Sequence, residues 1–324
     1  MTLELPGLFD LQVNGFCGVD FNAADLTADR ACEALEKLRA TGVTRCLPTL
    51  ITSPFESFAA SARVLSRLTC AAVAGLHMEG PYVSSDQGAR GAHQQAHVRT
   101  ATIDDFNRRQ DAAGGRIVLV TLAPEVPGAI SLVEHLVASG VRVAVGHTAA
   151  APDQIAQAIA AGATLATHLG NGCPQMLPRH PNVIWELLAA DAVFASVIVD
   201  GHHLPAATVK AMIRAKGERR TILVTDAIAA AGCPPGMYTI AGVASELAAD
   251  GRVSLPGTPY LAGSALTLDR AIANTVRFTG LPIDAVVPMA STIPASYLGA
   301  TTAGIVIADW DPARGELHVQ RVVE

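Results

Sequence analysis

Eight short runs rich in Val, Ile and Leu, the first seven each trailed by a stretch with helical spacing, constrain this chain more than any other feature. The runs are Gly7–Val13, Val43–Leu50, Ala72–Met78, Ile117–Leu122, Val141–Gly146, Thr164–Thr167, Phe194–Val199 and Thr221–Thr225. Helical stretches fall over Thr27–Thr41, Phe55–Leu68, Ile103–Ala113, Ala129–Ser139, Pro152–Ala161, Val183–Ala190 and Ala206–Arg214. A strand that is apolar without strict alternation is covered on both faces, and parallel sheets achieve this by laying crossover helices over them. The pattern predicts an α/β fold, a closed (β/α)8 TIM-like barrel, with an open doubly wound sheet as the alternative. A length of 324 residues suits one such barrel.

After the eighth run comes a Gly/Pro-rich stretch, Gly232–Gly263, then helices near Ser264–Thr279 and Ile283–Met289. The chain ends in one or two short strands around a turn. Residues 1–300 are therefore expected to form the barrel, and residues 301–324 a short C-terminal β segment packed on it.

Polar residues stand where several apolar runs stop. AVAGLHMEGP ends on Glu79, VRVAVGHTA on His147, ATLATHLGN on His168 and TILVTDAIAAAG on Asp226. In a parallel barrel the C-terminal strand ends form one rim, so these groups can meet there. One carboxylate and two imidazoles can bind a divalent ion and leave a position open for water. Each also has a structural reading: Glu79 can serve the Gly80-Pro81 turn, and Asp226 can cap the segment after it. Asp226 is the candidate general base and acid. His203, in DGHHLP, is a candidate for orienting or polarising a carbonyl, a role His202 could share. Arg179, in a Pro-rich loop, could clamp a phosphate. RGAH, with His93, and GNG, with Asn171 and Gly172, could add donors for an anion.

A net charge of -6 argues against a general nucleic-acid partner. With only 4% aromatic residues, an extended stacking surface for bases is not expected. The six cysteines, Cys17, Cys32, Cys46, Cys70, Cys173 and Cys233, show no CxxC pair and read as reduced thiols. Neither a signal peptide nor an apolar stretch long enough to span a bilayer is evident, so a soluble cytoplasmic protein without a membrane partner is expected.

Taken together, PGLFDLQVNGFCGVDF, GLHMEGPYVS, RGAH, VGHTAA, THLGNG, DGHHLP, LVTDAIAAAG and LAGSALTLDRAI resemble the N-acetylglucosamine-6-phosphate deacetylase family of the amidohydrolase superfamily. The stretches occur in the family's order over nearly the whole chain. The resemblance implies a homodimeric enzyme that hydrolyses the N-acetyl group of an amino sugar 6-phosphate. It implies Glu79, His147 and His168 as ligands of one divalent ion, zinc by expectation, and Asp226 as the catalytic carboxylate. His203 would face the sugar or carbonyl; Arg179, His93 and the Asn171-Gly172 backbone would bind phosphate. Gln12 and Asn14 stand where many superfamily members place a histidine pair, and amides are poor zinc ligands, which favours a single ion.

Three departures accompany the resemblance. The first strand begins almost at once, so the satellite β-sandwich should be reduced or absent. Gly170 and Asn171-Gly172-Cys173 replace a bulkier residue and NAM, which should loosen the pocket wall. The segment Ser85–Arg90 should lengthen its loop. Deacetylation of another or unphosphorylated sugar, a different amidohydrolase activity such as D-aminoacylase, and a non-catalytic sugar-phosphate sensor remain alternatives.

Overall fold

The computed structural model describes residues 1–70, 72–258 and 260–324. The chain opens with β1 (Thr2–Pro6) and passes directly into β2 (Leu8–Val13), whose six residues are all buried. A small hairpin, β3 (Gly15–Phe16) and β4 (Val19–Asp20), follows. Then come β5 (Val43–Ile51), β6 (Leu76–Glu79), β7 (Ile117–Leu122), β8 (Arg142–Val145), β9 (Leu165–Ala166), β10 (Phe194–Val197) and β11 (Thr221–Leu223). With β2 these form an eight-stranded parallel sheet in the order β11-β10-β9-β8-β7-β6-β5-β2. Among the described residues no ladder joins β2 to β11. The seam between them is closed by a parallel bridge, Val13 to Ala227, and by the Asp226 N–H donating to Gln12 O at 3.0 Å. Below that bond the fully buried Asp10 carboxylate accepts the Thr225 hydroxyl and the N–H groups of Gln12 and Thr225.

The crossover helices lie where the spacing places them, and local chemistry sets their ends. Thr27 caps the helix Ala28–Arg39 by accepting the Arg30 N–H, and Ala31, Ala34, Leu35 and Leu38 form its buried face. Thr102 caps Ile103–Ala112 in the same way, and Asn182 caps Val183–Ala189.

Several expectations need correction. The third run is regular only over Leu76–Glu79; Val73 contributes just an isolated bridge to Cys46. The Gly/Pro-rich stretch folds into a three-stranded antiparallel flap: β12 (Gly236–Ile240), β13 (Val243–Leu247) and β14 (Val253–Ser254). It buries a small apolar cluster of its own, Ile240, Leu247 and Val253 against Ile228 and Ala230. The following helix starts at Leu268, because Ser264 forms a parallel bridge to Ala227 and donates its hydroxyl to Thr225 O. Finally, β15 (Ile305–Asp311) and β16 (Glu316–Val323) pair with β1 in the order β1-β15-β16. The satellite, expected to be reduced or absent, is thus reduced, and residues 2–6 supply one of its strands.

Candidate active site

The rim at the C-terminal strand ends gathers the polar residues of the apolar runs. Glu79 is the last residue of β6; His147, His168 and Asp226 come just after β8, β9 and β11. Three of these four have left-handed backbone, with φ of 49° at His147, 32° at His168 and 51° at Asp226. Non-glycine residues held there are strained by roughly 1–3 kcal/mol, and such strain concentrates at functional sites.

The three side chains converge. Glu79 Oε1 lies 3.2 Å from His147 Nε2 and 3.0 Å from His168 Nε2, and the two nitrogens are 3.1 Å apart. All three residues are buried. His147 Nδ1 faces the carbonyl of Ala89 at 3.0 Å; a carbonyl only accepts, so Nδ1 carries the hydrogen and Nε2 of the neutral ring is a bare acceptor. A buried carboxylate oxygen and such a nitrogen this close call for a positive charge between them. The chemistry of this donor set and its crowding fit a divalent cation with ligand bonds of about 2.0–2.2 Å. In the site without its cation, burial opposes ionisation of Glu79, but bonding and charge from the adjoining imidazoles in their protonated form outweigh it and hold the carboxyl well below its usual range. Burial would lower His168, yet Glu79 and then Asp226 raise it.

Asp226 stands beside this cluster. Gln12 Nε2 donates to both Glu79 Oε1 at 2.9 Å and Asp226 Oδ1 at 3.0 Å, and Asn14 Nδ2 donates to Asp226 Oδ1 at 2.6 Å. The carboxylates fix the amide orientations, since two oxygens would repel at these distances. Among the described residues no donor reaches Asp226 Oδ2, so that oxygen is free to carry a proton. Burial, and then the charge of Glu79, push Asp226 up to about 6.

A cavity of about 470 Å³ opens above the cluster, lined in part by Asn14, Glu79, His93, Asn171, His203 and Asp226. The flap residues Ile240 and Val243 form part of its wall. His203 faces the cavity, whereas His202 Nε2 lies 3.2 Å from the Asp250 carbonyl in the flap. His93 sits against the cation cluster: Nε2 is 3.1 Å from His147 Nε2, and Nδ1 is 2.7 Å from the Thr52 hydroxyl. Burial and the neighbouring His147 lower His93 to about 3. The Asn171 backbone N–H is taken by His168 O at 2.9 Å, and its side-chain Nδ2 is instead the donor without a partner among the described residues. Arg179 is exposed and lies outside the cavity lining, in which no Lys or Arg occurs among the described residues.

The glycines at 170 and 172 do not simply loosen the wall. A Cβ on Gly170 would stand 2.9 Å from Leu204 and from Met212, and one on Gly172 would stand 3.0 Å from His147 Nδ1. Protein already fills that space. The Ser85–Arg90 segment forms a helical turn, Gln87–Arg90, capped by Asp86, and its Ala89 carbonyl is the one that orients His147. Neither Thr52 nor Ala89 carries a sequence signal for this role. Asp200, which bonds His203, does carry one in its spacing three residues before that histidine.

A parallel barrel with a buried Glu-His-His cluster on its rim, and a separate carboxylate with a free oxygen beside it, is built as a metal-dependent hydrolase. A model of the amidohydrolase family matches residues 4–308, and the chain belongs to that family. Its relatives include N-acetylglucosamine-6-phosphate deacetylase of Bos taurus, 34% identical over 91% of this chain and 74% of the bovine one. N-acetylgalactosamine-6-phosphate deacetylase of Escherichia coli O157:H7 is 35% identical over 92% of this chain and 78% of its own. Among solved structures, a mutant N-acetyl-D-glucosamine-6-phosphate deacetylase of Mycobacterium smegmatis, in complex with N-acetyl-D-glucosamine-6-phosphate, superposes with a TM-score of 0.90. It is 33% identical and matches 99% of this chain and 86% of the mycobacterial one. No helix among the described residues is long and apolar enough to cross a membrane.

Proposed function

We propose that this chain hydrolyses the N-acetyl group of an amino sugar 6-phosphate, first of all N-acetylglucosamine-6-phosphate, to the free amine and acetate. The observation that carries the reading is the convergence of Glu79, His147 and His168, with Asp226 joined to Glu79 through the single amide of Gln12. Relatives named as deacetylases of the glucosamine and galactosamine 6-phosphates supply the substrate class. Glu79 and the two histidines hold one divalent ion, which we assign as zinc because one carboxylate and two imidazoles suit it and leave a position open. Such an ion supplies Lewis-acid polarisation of the amide carbonyl and lowers the pKa of a water.

The chain's own groups then divide the work. Asp226 takes the proton of the attacking water on Oδ2 and returns it to the departing nitrogen. His203 faces the carbonyl and sugar. His93, Gly172 and the Asn171 amide line the substrate, and Arg179 meets the phosphate from the exposed end of the loop after β9. Residues 1–300 carry this chemistry, with 301–324 as an adjoining β segment, in a cytoplasmic homodimer. The galactosamine epimer is the second reading, favoured by the 35% identical Escherichia coli relative.

Acetate release from N-acetylated glucosamine, galactosamine and mannosamine, each with and without 6-phosphate, tests the proposal on metal-reconstituted protein. The expected outcome is turnover of one phosphorylated epimer well above its unphosphorylated form. Absence of acetate from every member of the panel would refute the deacetylase reading.

A further inference from the structure

The turn after β10 builds a buried carboxylate–imidazole pair. Asp200 Oδ1 accepts the backbone N–H groups of His202 and His203, each at 2.8 Å, and Oδ2 lies 2.6 Å from His203 Nδ1. The two side chains are 8% and 7% exposed. Burial pushes the Asp200 carboxyl up, but the bond and charge of His203 outweigh it and hold it below the ordinary range. An ionised carboxylate only accepts, so the hydrogen on His203 Nδ1 is fixed. Nε2 is left as the polar ring atom, and no protein partner engages it among the described residues.

We infer that Asp200 is a positioning residue for the reaction, holding His203 in the Nδ1–H form so that Nε2 is the ring atom presented to the substrate. The inference deepens the deacetylase reading and rests on it for the substrate. Nε2 so presented faces the carbonyl or the anionic end of the sugar, and the Asp200 carboxylate behind the ring would balance positive charge developing on it. This matters because the cavity lining holds no Lys or Arg among the described residues.

Asp200→Asn separates this role from a structural one. Its oxygen can keep both backbone donors, but its NH2 then faces Nδ1 and donates to it, which forces the Nε2–H tautomer. We expect kcat to fall about 10- to 100-fold with KM changed less than threefold, the scale of a lost hydrogen bond to a charged group. In the His203→Asn background the same substitution should have little further effect, because its action passes through the ring. An equal loss in both backgrounds would overturn the inference and leave Asp200 a structural residue.

Nitrogen-15 NMR of the His203 ring in metal-loaded wild-type protein gives a reading that needs no turnover. The Nδ1–H tautomer, changing to Nε2–H in Asp200→Asn, supports the inference; Nε2–H in the wild type overturns it even if the variant does not fold. Failure of the deacetylase reading alone would appear as no acetate from wild type alongside an intact Nδ1–H signature.

Discussion

Replacing Gln12 by leucine tests the central arrangement directly. Leucine keeps much of the volume but removes Nε2, which bonds Glu79 Oε1 at 2.9 Å and Asp226 Oδ1 at 3.0 Å. Hydrogen bonds to charged groups contribute about 1.5–3 kcal/mol, and each 1.36 kcal/mol corresponds to about one pKa unit. Asp226, already pushed up to about 6 by burial and Glu79, should therefore rise by roughly one to two units. As the proposed base, Asp226 must be ionised to act, so activity is present above its pKa and lost as pH falls through it. The acid limb of kcat/KM should move upward by that amount. Turnover at pH 7 should drop about two- to tenfold and recover toward wild type near pH 9. Gln12 also orients Glu79, a proposed ligand of the ion, so metal affinity should fall on the order of 10- to 100-fold, measured by competition with a chromophoric chelator. Asn14→Leu removes only the bond to Asp226, and should shift the same limb while leaving metal affinity close to wild type. An acid limb that stays in place in both variants would refute the reasoning.

Two other perturbations follow from buried charge. Arg109 is fully buried, donates from Nε to Asp105 Oδ2 at 2.9 Å, and lies over the Phe58 ring at 5.0 Å. Arg109→Ala should cost about 3–5 kcal/mol in urea unfolding, and Arg109→Met clearly less because it keeps the packing; equal losses would contradict this. Burial raises Asp10 from 3.8 to about 7, so it contributes stability below about pH 4 that is lost as pH rises through about 7. Metal-free Asp10→Asn should lose less stability than wild type between pH 5 and pH 8, as read from urea midpoints; an equal loss in both would exclude the assignment.

The barrel was legible because its signal is local: an apolar run followed by helical spacing reports what each segment buries, whatever lies next to it. The flap was not. Its short strands sit among Gly and Pro and become strands by covering Ile228 and Ala230 at the barrel mouth. The same limit hid β1, which reads as the lead-in to β2 until Thr2 is set against Asp309, three hundred residues away.

At the site, the polar ends of apolar runs marked Glu79, His147, His168 and Asp226, since an ionisable group on a buried strand needs a partner. Their meeting point depended on the barrel closing, and so did the unexpected positions of His93 beside the cluster and Arg179 outside the cavity. The amino-acid order determined which residue types emerge at each strand end. Only the folded chain decided which of them lie 3 Å apart, because those distances are set by contacts between segments dozens to hundreds of residues away from one another.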